Sequence, residues 1–171
     1  HVLPGPWNAE ASHNASTKPR FELEPDADLA RGDSPDYVNR GFTVTVRLTR
    51  PGGDGVLVAQ GGDAHGWALF FQDGALHFAI NRGGTLEEIV SSDSAFGADS
   101  EISAVLGADA WLTLAADGRA LLRRKVGDLP STRPVDGLQV GRDLAGTVGE
   151  YTSPFAFSGE IAGVTIELGP R

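Results

Sequence analysis

Acidic residues next to glycines are the side chains of this sequence whose types and spacing most readily suggest chemistry. Four of them lie in turn-rich segments: Asp54, Asp63, Asp143 and Glu150. Because Ca²⁺ prefers carboxylate and carbonyl oxygens presented by loops, these residues are candidate calcium ligands. Their spacing does not match an EF-hand loop, and each residue also fits an ordinary turn. These four residues are therefore either calcium ligands or ordinary turn residues.

The histidines do not form a metal-binding pattern. They are His1, His13, His65 and His77. A zinc site needs ligands that converge on one point, whereas these four are scattered along the chain. His77 alternates with Leu76 and Phe78 in an apolar segment, so it points to the opposite face of a strand from them. We expect His77 to be exposed.

Familiar catalytic patterns are missing from the sequence. Glu87 and Glu88 are adjacent on a predicted strand, so they face opposite sides and cannot work as a carboxylate pair. There is no G-x-S-x-G motif, no phosphate-binding glycine loop ahead of a helical pattern, and no E-x-D-x-x-E strand motif of a sandwich-fold glycosidase. The chain has no cysteine, which excludes disulfides, thiolate metal sites and cysteine nucleophiles.

Short alternating segments must position the candidate residues. From residue 42 to 48, apolar and polar residues alternate with the period of a half-buried strand. Asp73-Gly74 and Asp117-Gly118 each separate two such segments, which predicts two β-hairpins. About ten such segments and no helical period predict one antiparallel all-β domain over 42–171, either a sandwich or a barrel.

The first part of the chain lacks the alternating pattern of the predicted β-domain. Residues 1–41 are rich in proline and acidic turns, and they are predicted to form an extended arm with one short strand at 21–24. The sequence starts at His1 and contains no methionine. We therefore expect the chain to be part of a longer protein.

The charge of the chain limits its partners. The net charge is −9 and the isoelectric point is near 4.8. Such a surface repels nucleic acid and anionic lipid at long range, so neither is an expected partner. No apolar run approaches the length of about 18 residues that a membrane-spanning helix needs. Abundant alanine and glycine, and the use of arginine in place of lysine, are typical of a GC-rich bacterial genome.

Two blocks of sequence are more specific than any single motif. The first is G-V-L-V-A-Q-G-G at 55–62, followed by G-W-A-L-F-F-Q-D-G at 66–74. The second is L-Q-V-G-R-D at 138–143, followed by Y-T-S-P-F-A-F-S-G at 151–159 and an apolar strand. In this order they resemble the C-terminal concanavalin-like, laminin-G-like β-sandwich of bacterial arylsulfatases.

The resemblance implies an antiparallel jelly-roll β-sandwich of the concanavalin or laminin-G type. It also implies a non-catalytic accessory domain of a sulfuric ester hydrolase, packed on the catalytic domain of its parent chain. We expect this protein to be periplasmic or secreted. The C/S-x-P-x-R motif of sulfatases is absent, so this chain alone is not expected to be an enzyme. The expected contact is the loop 141–159, with Arg142, Asp143, Tyr151 and Phe155. Arg142 either pairs with a carboxylate or sulfate or forms a local ion pair with Asp143 that holds the loop.

The same sandwich also fits a stand-alone module that binds carbohydrate or protein. Such a module would use exposed aromatic rings and acidic loop residues on the concave face or the rim. Tyr151 and Phe155 lie in a polar loop and are the better candidates for an outward contact. A small glycosidase of this class ranks last, because its carboxylate motif is missing.

Overall fold

The chain folds into two antiparallel β-sheets that enclose one main core. The computed structural model describes residues 18–92, 96–144 and 147–170. Their strands are β1 (Arg20–Leu23), β2 (Asp28–Leu29), β3 (Phe42–Arg50), β4 (Gly55–Gly61), β5 (His65–Gln72), β6 (Ala75–Arg82), β7 (Thr85–Ser91), β8 (Glu101–Leu106), β9 (Trp111–Ala116), β10 (Arg119–Lys125), β11 (Leu138–Val140) and β12 (Glu160–Leu168). A short 3-10 turn follows β2 at Arg31–Asp33. Nothing helical in these ranges is long and apolar enough to cross a membrane.

Each sheet contains six strands. Sheet A has the order β1-β12-β3-β8-β9-β10, and sheet B has the order β2-β11-β4-β5-β6-β7. All the strand pairs within the two sheets are antiparallel. The predicted all-β sandwich is therefore confirmed.

Both predicted Asp-Gly hairpins are present. Asp73-Gly74 joins β5 to β6, and Asp117-Gly118 joins β9 to β10. The φ angles of these residues are 53°, 77°, 50° and 80° in chain order. Two-residue turns of this kind need the left-handed conformation at both positions, which aspartate tolerates and glycine adopts freely.

The segment predicted as an arm contributes an edge strand to each sheet. β1 pairs with β12 in sheet A, where Phe21 lies opposite Ile166 and is buried. β2 pairs with β11 in sheet B, where Leu29 lies opposite Leu138. The part of the arm before residue 18 lies outside the described residues, so the predicted boundary after residue 41 stays a prediction.

Large side chains from both sheets fill the space between them. Phe42 of β3 lies with its ring centroid 5.3 Å from those of Trp67 and Tyr37. Trp67 of β5 meets Phe78 of β6 at 6.5 Å and a steep angle of 80°. These aromatic residues are almost completely buried, and their removal from water is a major stabilising contribution.

Gln60 is a polar side chain inside this core. Gln60 is 1% exposed. Its Nε2 donates to the carbonyl oxygen of Pro35 at 2.9 Å, and its Oε1 accepts from Nε1 of Trp67 at 3.0 Å. Because a buried polar group without a partner is costly, both bonds help to fix the segment before β3 against sheet B.

Replacing this glutamine tests its role. Gln60→Leu leaves the Trp67 N–H and the Pro35 carbonyl unpaired, and we expect a loss of about 2–4 kcal/mol in the free energy of unfolding. Urea denaturation measures the change. Gln72→Leu is the matched control, because Gln72 is half-buried and donates one bond to the Glu150 carbonyl. Equal losses in the two variants would contradict the assignment.

Candidate functional site

The long loop 141–159, between β11 and β12, packs on the outer face of sheet B. Val148 of this loop is 2% exposed and clusters with Ala59, Ala68 and Ala79. These alanines are neighbours across β4, β5 and β6. Their small side chains let the loop lie close to the sheet. Long loops without regular structure are uncommon in small domains and are often functional.

A row of four rings connects sheet B with this loop. The His77 ring stacks on Phe70 with centroids 4.7 Å apart. The Tyr151 ring packs against Phe70 with centroids 4.8 Å apart. Tyr151 also stacks on Phe155, with centroids 5.4 Å apart. The sheet supplies the first two rings and the loop supplies the other two. Ring pairs of this kind stabilise a structure beyond the area that they bury.

The prediction that His77 is exposed is wrong. Its side chain does lie on the face opposite Leu76 and Phe78, but it is only 14% exposed. Phe70 covers one side of the ring, and Nδ1 lies 3.3 Å from Oε2 of Glu88. Alternation gives the face of a strand to which a residue points, but it does not show what covers that face.

Asp143 is the buried anchor of the loop. Its side chain accepts a hydrogen bond from the Tyr151 hydroxyl, and its backbone N–H donates to the Pro154 carbonyl at 2.8 Å. The Ser153 hydroxyl donates to the carbonyl of Asp143. Burial first, and then the charge and hydrogen bond of Asp143, raise the pKa of Tyr151 well above its usual value.

Arg142 has different surroundings from its neighbour Asp143. Its guanidinium donates to the carbonyl oxygens of Val140, at 3.2 Å, and Asp26, at 3.4 Å. No carboxylate among the described residues lies at ion-pair distance from it, so the alternative of a local Arg142–Asp143 ion pair is wrong. The two backbone bonds use two of the five N–H groups of the guanidinium.

Arg142 lines an open cavity where the loop meets the start of β12. The cavity has a volume of about 460 Å³ and is also lined by Pro25, Phe157, Glu160 and Ile161. This volume lies in the range of small-molecule sites, which is about 300–1,000 Å³. A basic, an acidic and an aromatic residue thus line one cavity. This set suits a ligand with hydroxyl groups and one anionic group.

The structure brings together three of the four residues predicted for the loop contact. Asp143, Tyr151 and Phe155 lie on the side that packs on sheet B, where they hold the loop, whereas Arg142 lines the cavity. Sequence reasoning did not select Phe157 and Glu160. They line the same cavity as Arg142 because the loop returns to the start of β12, and no sequence pattern indicates that return.

The calcium candidates lie in three different loops. Asp54 precedes β4, Asp63 precedes β5, and Asp143 and Glu150 belong to the loop 141–159. In the part of the chain that the structure describes, no group of three or more histidine or carboxylate side chains could hold a metal ion. Calcium binding stays a prediction.

The two tyrosines of the chain should ionise only when it unfolds. Burial raises the pKa of Tyr37 and Tyr151 above the usual 10.0, and the nearby charges of Asp36 and Asp143 add to the two shifts. Since the native state holds these protons more tightly than the unfolded chain, their stabilising contribution is complete below about pH 10 and falls as the pH rises further.

The ultraviolet absorbance of tyrosinate should therefore increase together with the loss of the β-sheet circular dichroism signal. A tyrosine that ionises near pH 10 in a folded chain would contradict this assignment, and Tyr37→Phe and Tyr151→Phe identify which one it is.

No protein-family model matches the chain, and no curated protein matches it in sequence. Solved structures do match its fold. The CBM40 domain of the Ruminococcus gnavus IT-sialidase, bound to α2,3-sialyllactose, has a TM-score of 0.60 at 15% identity, covering 88% of this chain and 89% of that chain. The K499G mutant of the NanB sialidase from Streptococcus pneumoniae gives 0.64 at 14% identity, covering 87% of this chain and 25% of the sialidase.

The binding domain of Paraclostridial Mosquitocidal Protein 1 is also similar, with a TM-score of 0.56 at 14% identity over 86% of this chain and 39% of that chain. At such identities the likeness concerns the fold. The comparisons therefore support the β-sandwich part of the resemblance drawn from the sequence, and nothing in them links the chain to sulfatases. The fold of this chain is the β-sandwich that it shares with CBM40 domains.

Proposed function

We propose that this chain is a carbohydrate-binding module and that the cavity beside Arg142 is its ligand site. The observation that carries the proposal is the state of this arginine. Its guanidinium is held by two backbone carbonyls, has no carboxylate partner among the described residues, and borders an open cavity. In a chain with 23 acidic and 14 basic residues, an arginine fixed in this way is well placed to receive an anionic group from outside.

The cavity offers a different contact to each part of an acidic sugar. Arg142 pairs with a carboxylate through its remaining N–H groups, which form strong, directional bonds. The half-buried ring of Phe157 receives the apolar face of the sugar ring. Glu160 accepts hydrogen bonds from hydroxyl groups, and it is exposed and already paired with Arg50 at 3.4 Å.

The structural likeness supports carbohydrate binding better than a role beside a sulfatase. Among the similar structures is a CBM40 domain that binds sialyllactose. In the NanB sialidase the similar region is one quarter of a longer chain. We therefore propose that this domain serves as a non-catalytic part of a larger glycan-active protein.

Calorimetric titration with 3′-sialyllactose, 6′-sialyllactose and lactose tests the site. We expect both sialylated ligands to bind more tightly than lactose. Arg142→Gln should weaken their binding by at least about tenfold, because a charged hydrogen bond contributes about 1.5–3 kcal/mol. Arg142→Lys keeps the charge but loses the fork of N–H groups, so we expect an intermediate loss.

The matched control is Arg20→Gln, which removes an exposed arginine that has carboxylate partners, Glu22 and Glu167. This variant should bind like the original chain. No binding of any of the three sugars would contradict the carbohydrate function. Binding that is unchanged in Arg142→Gln would instead show that the ligand occupies another surface.

A further inference from the structure

A second cationic surface lies on β10, at the edge of sheet A. This strand carries Arg119, Arg123, Arg124 and Lys125, and all four are exposed. The rest of the chain is strongly acidic, since the total net charge is −9. In sheet A three strands separate β10 from β12, so these two strands lie about 19 Å apart across the sheet, and the Arg142 cavity lies at the start of β12.

Two of these cations point to the outer face of sheet A. Arg123 lies opposite Thr113, and Lys125 lies opposite Trp111. Thr113 and Trp111 alternate with the buried Leu112 and are half-buried, so they belong to the outer face. Residues two apart on a strand lie about 7 Å apart on the same face. Arg123 and Lys125 therefore form a pair of neighbouring charges beside an indole ring.

This cation pair is held in position without a carboxylate. The guanidinium carbon of Arg123 lies 4.7 Å from the ring centre of Trp111, a cation–π contact that keeps the guanidinium flat on the indole. Lys125 Nζ donates to the Asp109 carbonyl at 2.7 Å. Within the described ranges neither cation has a salt bridge.

Two acidic side chains at the ends of β9 accept hydrogen bonds from the backbone. Asp109 accepts from the N–H of Trp111 at 3.3 Å, and Asp117 accepts from the N–H of Glu101 at 2.8 Å. Since neither forms a salt bridge with Arg123 or Lys125, the pair has no direct carboxylate partner among the described residues.

We propose that Arg123 and Lys125, with Trp111 as the residue that positions Arg123, bind an anionic polysaccharide through its sulfate or carboxylate groups. A polysaccharide chain is thin, so it can follow the β9–β10 edge without touching the acidic remainder of the surface. A wide duplex or a globular acidic protein would meet that remainder within a screening length of about 8–10 Å. This second surface is separate from the Arg142 cavity and does not depend on it.

Charged edge strands also prevent sheets from joining edge to edge. That function explains why β10 is charged, but it requires neither the Trp111 contact nor the placement of two cations on the outer face. The two roles make different predictions for a soluble ligand, because edge protection alone gives no binding.

Electrophoresis of the native chain in gels that contain dextran sulfate, polygalacturonate or unmodified dextran tests the proposal. We expect retardation by at least one charged polymer and none by dextran, and the two charged polymers distinguish sulfate from carboxylate recognition. Arg123→Gln with Lys125→Gln should raise the dissociation constant at least about tenfold. Trp111→Leu should raise it by a smaller factor, because the guanidinium is then no longer held.

The chain offers a closely matched control pair on the opposite edge of the same sheet. Lys18 and Arg20 are also exposed and two residues apart, and their replacement by glutamine removes the same charge. This control should leave retardation unchanged. No retardation by either charged polymer, equal losses in the two double variants, or binding of duplex DNA as tight as that of dextran sulfate would overturn the proposal. Circular dichroism verifies that each variant is folded.

Discussion

The hydrogen bond between the buried Asp143 carboxylate and the Tyr151 hydroxyl fixes the geometry on which the candidate site depends. A carboxylate that is removed from water is costly unless hydrogen bonds replace the lost water contacts. Asp143 meets this condition only while the loop 141–159 lies on sheet B, because Tyr151 approaches from the far part of that loop. The Phe70 ring of sheet B packs against Tyr151 and holds that side chain in place. Folding of the loop and formation of the site are thus one event.

Packing on one side of this segment arranges the proposed ligand site on the other side. Gly141 has a φ of +84°, a conformation that strains other residues, and it starts the turn that places Arg142 and Asp143 in different surroundings. The Gly141 carbonyl accepts from the N–H of Phe157 at 3.0 Å, which fixes the backbone of Phe157 beside the cavity. Arg142 and the backbone of Phe157 are already fixed in the free protein. Binding of a ligand therefore costs less free energy for ordering these residues.

Local patterns in the sequence were sufficient for the all-β class and for both Asp-Gly hairpins. The turn at Asp73-Gly74 places Phe70 opposite His77 by counting residues, and alternation puts both on the outer face. Their enclosure by the loop could not be predicted, since the contacts come from residues far along the chain. The direction of Arg142 depends on the carbonyl of Asp26. That residue lies in the segment predicted as an arm, where the strands are too short to show alternation.

The proposed binding residues differ in their surroundings from the ion-paired arginines of the surface. Arg20 and Arg50 each have carboxylate partners on the surface, as an acidic chain readily provides. Arg142, Arg123 and Lys125 have none among the described residues and are instead held by carbonyls or by an indole. The acidic remainder opposes any broad polyanion, so attraction acts only at short range. Such a surface favours a narrow, chemically defined ligand over a bulk polyanion, which is the selectivity that recognition of a glycan requires.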